Sequence, residues 1–239
     1  FEIMQYSKNS TCIVKKEFSK NDFIHLRRID ANSKATFMLA IHRESFYLLV
    51  IKYVFVSKEN SKNVDHEINF CESYKNRCLV PFYGFVKNDG KIIGFVYEFM
   101  ANGSLDSYLS KNIQYKDIFI MMTINRLCQG IFYLHSNFLV HRDLKPSNIL
   151  VNNDLLPFIS DFETIRKPID EVDFPSGETM SNDLGTPLYS SPEQDFGEYV
   201  SYPSDIYSFG LIIYYMYEMR DMWSHEILSK SSKKFLRAK

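Results

Sequence analysis

The sequence predicts an α+β architecture in two lobes, β-rich first and mainly helical second. Three observations carry that expectation. Residues 22–100 are dominated by β-branched and aromatic runs. Apolar residues at helical spacing follow them. A turn-rich stretch, ANGSL at 101–105, divides the two regimes.

Taken in order, DFIHLRRI (22–29), ATFMLAI (35–41) and FYLLVIKYVFV (46–56) read as strands, with HRES (42–45) turning between the last two. Residues 60–76 are polar and charged without Gly or Pro, which suits a partly exposed helix. LVPFYGFV (79–86) and KIIGFVYEFM (91–100) form another strand pair around the turn KNDG (87–90). Ile120, Ile124, Leu127, Ile131 and Leu134 recur at steps of four and three and mark one face of a long helix. LPFISDF (156–162) is a short strand, 163–192 a long polar loop, and PSDIYSFGLIIYYMYEM (203–219) a buried helix. The lobes join near 98–103, and clefts between lobes are favoured ligand sites.

The 239 residues, 45% of them hydrophobic, are enough for a sizeable core. A net charge of −1 gives no overall field toward nucleic acid or an anionic membrane. Four irregularly spaced cysteines read as reduced thiols, which places the chain in the cytoplasm. No apolar run reaches membrane-spanning length, and FEIMQYSKNS is not a signal peptide. The oligomeric state stays open.

FLVHRDLKPSNIL (138–150) raises a chemical question. Apolar residues at both ends enclose His141, Arg142, Asp143, Lys145 and Asn148, and Pro146 forbids a helix through them. Asp143 can orient a hydroxyl or accept its proton. Lys145 can balance a developing phosphate charge. The Asn148 oxygen suits Mg²⁺, as does the carboxylate of Asp161 in SDFE. A base, a cation and two oxygen ligands describe a Mg-dependent phosphoryl-transfer site.

HRDLKPSN at 141–148 resembles the catalytic loop of the eukaryotic protein kinases, H-R-D-L-K-P-x-N, at every defined position. The resemblance covers about 22–220 and implies a two-lobed protein kinase-like fold. On it, 22–239 is the kinase domain, with an N-lobe over about 22–98, a hinge over about 98–103 and an incomplete C-lobe over 104–239. Residues 1–21 are an N-terminal extension. ATP and Mg²⁺ are then the implied cofactors and a protein the implied substrate. Lys52 in LLVIK matches the lysine that touches the α- and β-phosphates, and Glu67 the glutamate that pairs with it. VYEFMANGSL looks like the hinge, with Glu98 to Met100 facing adenine and Tyr97 as gatekeeper. Val50 and Leu150 complete the implied ATP-binding set with Lys52, Glu67, Glu98, Met100 and Asp161. Asp143, Lys145 and Asn148 are the implied catalytic residues, with Asn148 and Asp161 on the metal. Ser191-Pro192-Glu193 stands in place of A-P-E, and Asp205 in SDIYSFG is the implied buried aspartate behind the catalytic loop. D-L-K-P-x-N and Thr186 fit the serine/threonine type. The surrounding residues resemble the tyrosine-kinase-like group.

The chain departs from that pattern in places. DANSKATF (30–37) stands where the glycine-rich loop belongs, with Asp30, Asn32 and Ala35 in glycine positions, and no glycine precedes Gly84. Val50 replaces alanine, and Glu163 replaces the glycine of D-F-G, removing a flexible turn and adding charge. The arginine that normally pairs with Glu193 has no evident counterpart, which predicts a costly buried charge. Two functions follow. One is an active serine/threonine kinase, with Arg142 docking a phosphorylated loop whose candidate acceptors are Thr164, Ser176, Thr179 and Ser181. The other is a pseudokinase serving as a binding or scaffolding module.

Overall fold

The computed structural model describes residues 17–31, 34–55, 61–111, 114–168, 188–195 and 200–219. Asn32, Ser176, Thr179, Ser181 and Thr186 lie outside them. The chain divides into two compact units, Phe1–Ser57 with Phe82–Phe99, and Lys58–Pro81 with Met100–Lys239.

The first unit is a sheet of β1 (Glu17–Phe18), β2 (Phe23–Ala31), β3 (Ala35–His42), β4 (Leu48–Val54), β5 (Phe82–Asn88) and β6 (Lys91–Glu98). Its order is β1-β5-β6-β4-β3-β2, parallel between β1 and β5 and antiparallel elsewhere. Alternation along the strands sends Phe18, Phe23, Ala40, Leu49, Ile51, Val86 and Val96 into one buried cluster. Glu17 and Phe18, within the expected N-terminal extension, form β1, and Phe18 packs 5.3 Å from Phe23 and 5.5 Å from His42, ring to ring. A strand of two residues is too short to show a period, so the sequence pattern missed it. The β2–β3 hairpin forms without glycine: Asp30 pairs with Phe37 and Ala31 with Thr36.

The second unit holds α1 (Ser61–Ser73), β7 (Gly103–Ser104), α2 (Leu105–Leu109), α3 (Lys116–Ser136), β8 (Ile149–Val151), β9 (Pro157–Ile159), α4 (Pro192–Asp195) and α5 (Tyr202–Glu218). β7, β8 and β9 form a small antiparallel sheet. Ile120, Leu127, Ile131 and Leu134 of α3 are buried as their spacing predicts, together with Ile212 and Met216 of α5. Gly130 lets α3 approach β9 closely; a Cβ there would sit 2.7 Å from Ile159 Cδ1.

α1 lies in the second unit, although the strands on either side of it in sequence lie in the first. The Phe70 ring lies 4.7 Å from that of Phe162, and Leu79 bridges Ile159. Burial of these apolar groups outweighs proximity along the chain.

Candidate active site

α5 begins with Pro203 in its first turn and carries Asp205 one turn from its start. Asp205 is 1% exposed. Its Oδ2 accepts from the His141 N–H at 2.9 Å and from His135 Nε2 at 2.9 Å, and its Oδ1 accepts from the Arg142 N–H at 2.9 Å. A buried carboxylate needs such donors, and these satisfy two backbone groups of the irregular loop at once. Arg142 can therefore hold φ at 73°, a left-handed conformation unfavourable for a side-chain-bearing residue.

His141 locks the same loop from its other face. Its Nε2 donates to the Ser160 carbonyl at 3.0 Å, and its Nδ1 accepts from the Asp143 N–H at 3.4 Å. Those partners require the tautomer protonated on Nε2. The Thr164 hydroxyl donates to the His141 carbonyl at 2.8 Å. Gln194 Nε2 donates to the Arg142 carbonyl at 2.8 Å. Burial pulls the Arg142 guanidinium below its ordinary pKa, and the Asp205 carboxylate offsets part of that.

The loop so held presents three side chains to one another. Lys145 Nζ donates to Asp143 Oδ2 at 2.7 Å. Asn148 Nδ2 donates to the Asp143 carbonyl at 2.8 Å and to Asp143 Oδ2 at 3.0 Å. Both partners of Nδ2 are acceptors, so the amide orientation is fixed and Oδ1 keeps its lone pairs for another donor or a hard cation. The Asn148 carbonyl accepts from the Ser160 N–H at 2.9 Å, which ties the residue before Asp161 to the loop.

Asp161 has φ 64° and starts the 3-10 turn Phe162–Thr164. Glu163 lies within this turn and is not among the positive-φ residues. The strained position is thus Asp161, and the missing glycine imposes no left-handed strain on Glu163. Glu193 is half-buried rather than buried, and the Ser204 hydroxyl donates to its Oε1 at 2.6 Å. Ser204 of α5 thus gives this carboxylate a hydrogen-bond donor, and its partial exposure lowers the cost that a buried charge would carry.

Of the remaining predicted residues, Glu67 is buried on α1, Met100 is buried, and Leu150 pairs with Ser104 and Phe158 in the small sheet. On the first unit, Lys52 lies buried on β4 with Nζ 6.0 Å from the Phe95 ring centroid. Val50 is opposite Leu39 and Tyr97, and Glu98 accepts from the Tyr83 hydroxyl at 3.2 Å. Sequence reasoning overlooked His135, Asn63 and Arg166. Their partners are remote in sequence, so no local pattern flags them.

The protein kinase domain family model matches residues 27–238. Mitogen-activated protein kinase kinase 3 of Arabidopsis thaliana is 32% identical over 190 residues, covering 78% of this chain and 36% of that protein. A G-type lectin S-receptor-like serine/threonine-protein kinase of the same plant is 34% identical over 172 residues, 66% of this chain and 19% of that protein. Serine/threonine-protein kinase pakF of Dictyostelium discoideum is 26% identical over 194 residues, 81% of this chain and 16% of that protein. The chain spans well under half the length of each of these relatives. The loop anchored by Asp205 lies within the matched stretch, and the chain belongs to the eukaryotic protein kinase domain family.

Proposed function

We propose that this chain is a serine/threonine kinase domain that moves the γ-phosphoryl group of ATP to a protein hydroxyl. The observation that carries the reading is the Asp143–Lys145–Asn148 cluster on a loop anchored by Asp205. Asp143 orients the hydroxyl and takes its proton as the new P–O bond forms and the bond to ADP breaks. Lys145 balances the charge on the moving phosphoryl oxygens. Lys52 serves the ATP phosphates, and Glu67 is the acidic residue assigned to that lysine. By resemblance to the family, Val50, Glu98, Met100 and Leu150 are the residues assigned to adenine. The donor set fits Mg²⁺, since Asn148 offers Oδ1 and Asp161 a carboxylate. When bound, Mg²⁺ neutralises phosphate oxygens.

The test is a thermal melt with ATP, with and without Mg²⁺, joined to a phosphate-transfer assay on a generic protein substrate. At a hundred times the dissociation constant, ATP stabilises a binding fold by about 2.7 kcal/mol. The reading expects a Mg-dependent shift, lost in Asp161→Ala, and transfer reduced at least about a hundredfold in Asp143→Asn. The absence of glycine before Gly84 favours the second reading, a pseudokinase. A folded chain whose residual transfer is indifferent to Asp143→Asn would establish that reading instead.

A further inference from the structure

Three residues on α1 fall at i, i+4 and i+7: Asn63, Glu67 and Phe70. That spacing places them along one face. Both flanking residues are held by the segment that follows Asp161. Beyond Glu67, Phe70 packs on Phe162 at 4.7 Å, with both rings buried. Before Glu67, the Asn63 Oδ1 accepts from Arg166 Nη2 at 2.6 Å. One contact is apolar and one polar, and Glu67 lies between them. Two attachments about 10 Å apart along a helix fix its rotation and its axial position together, which a single pin does not.

Arg166 is itself immobilised. Its Nη1 donates to the Glu163 and Ile165 carbonyls, each at 2.7 Å. Its backbone exchanges hydrogen bonds with Val140 at 2.8 and 3.1 Å, immediately before His141. The guanidinium is half-buried, and burial first, with Arg142 second, pulls it down to about 10, while Glu163 acts the other way. Such a cation is held in place by its acceptors, and Asn63 is the one supplied by α1. A planar fork suits this work because it reaches separate acceptors in fixed directions.

We infer that Arg166 and Asn63 are positioning residues that set the rotation of α1, and with it the placement of Glu67, against the Asp161–Thr164 turn. An unmodified side chain performs this task, through a bond internal to the chain. The inference rests on the proposed kinase function for its catalytic consequence and on the geometry alone for its structural one.

The test compares wild type with Asn63→Leu, which keeps the side chain's size and removes the acceptor, and Asn63→Asp, which keeps an acceptor for Arg166. Two readouts are taken on the full chain: amide hydrogen exchange over 61–73, and kcat with KM for ATP on a generic protein substrate. In Asn63→Leu, exchange in the first turns of α1 should rise about tenfold and kcat should fall about tenfold, with KM changed less. In Asn63→Asp both should stay near wild type. Unchanged exchange in Asn63→Leu overturns the inference, and so does failure of Asn63→Asp to rescue. A wild type that transfers no phosphate defeats the kinase reading, and exchange alone then decides whether the tie exists.

Discussion

Ser191 has a buried hydroxyl with no hydrogen-bond partner among the described residues. A buried hydroxyl without a partner costs about 1–3 kcal/mol. Ser191→Ala should therefore stabilise the chain, raising its melting temperature by roughly 2–4 °C per kcal/mol gained; a lower melting temperature would refute the account. Asp205 is the opposite case. Asp205→Ala strands the His141 and Arg142 N–H groups in a dry interior, so a loss of at least about 3 kcal/mol is expected from urea unfolding. At this scale the loop chemistry was readable, because HRDLKPSN gathers its functional groups within one short segment. The buried aspartate was readable by resemblance only. The left-handed backbone at Arg142 and Asp161 was not readable, since neither residue type announces it. The concern over Glu163 had its physical reason in the turn glycine usually at that place, and the turn puts its strain two residues earlier.

At the level of elements, strand alternation and the α3 stripe revealed most of both units. What escaped was short. β1, β7 and β8 have two or three residues each, below the length at which a period of two is visible, whereas β9 falls inside the expected strand at 156–162. The β2–β4 surface also carries a titrating pair. His25 Nε2 lies 2.7 Å from the Tyr53 hydroxyl, and Lys20 Nζ sits 5.7 Å from the Tyr53 ring. Burial pushes Tyr53 up to about 12, while burial and Lys20 lower His25. The neutral imidazole is thus preferred in the folded state. The stability it contributes is full above the unfolded pKa of about 6.5 and is lost as pH falls through the lower folded value. Melting temperatures measured on either side of pH 6 should fall less on acidification in His25→Phe than in wild type. Equal losses would show that this pair does not couple to folding.

For the molecule as a whole, the division into two units follows packing and not chain order. α1 joins the second unit through Phe70 on Phe162 and Asn63 on Arg166. Phe162→Ala removes a fully packed ring, a change that costs about 3–5 kcal/mol in comparable cores. Hydrogen exchange should then rise along all of α1, not only near the cavity; protection retained in α1 would show that other contacts suffice to hold it. The sequence could not reveal this membership. A helix's partners are set by which apolar faces meet, and the partners of α1 lie more than a lobe away in sequence. Among the described residues, no helix is long and apolar enough to cross a membrane.

The same arrangement bears on how the chain is made. A ribosome extends the chain by about 5–20 residues each second, N-terminus first. α1 emerges early, while Ile159, Phe162 and Arg166 are still unmade. For several seconds, on that scale, Phe70 lacks the Phe162 ring that later packs on it. The nascent protein must carry a sticky, half-finished helix through the synthesis of β5, β6 and α3. The helix that bears Glu67 is therefore open to chaperone capture during translation until the residues after Asp161 leave the exit tunnel.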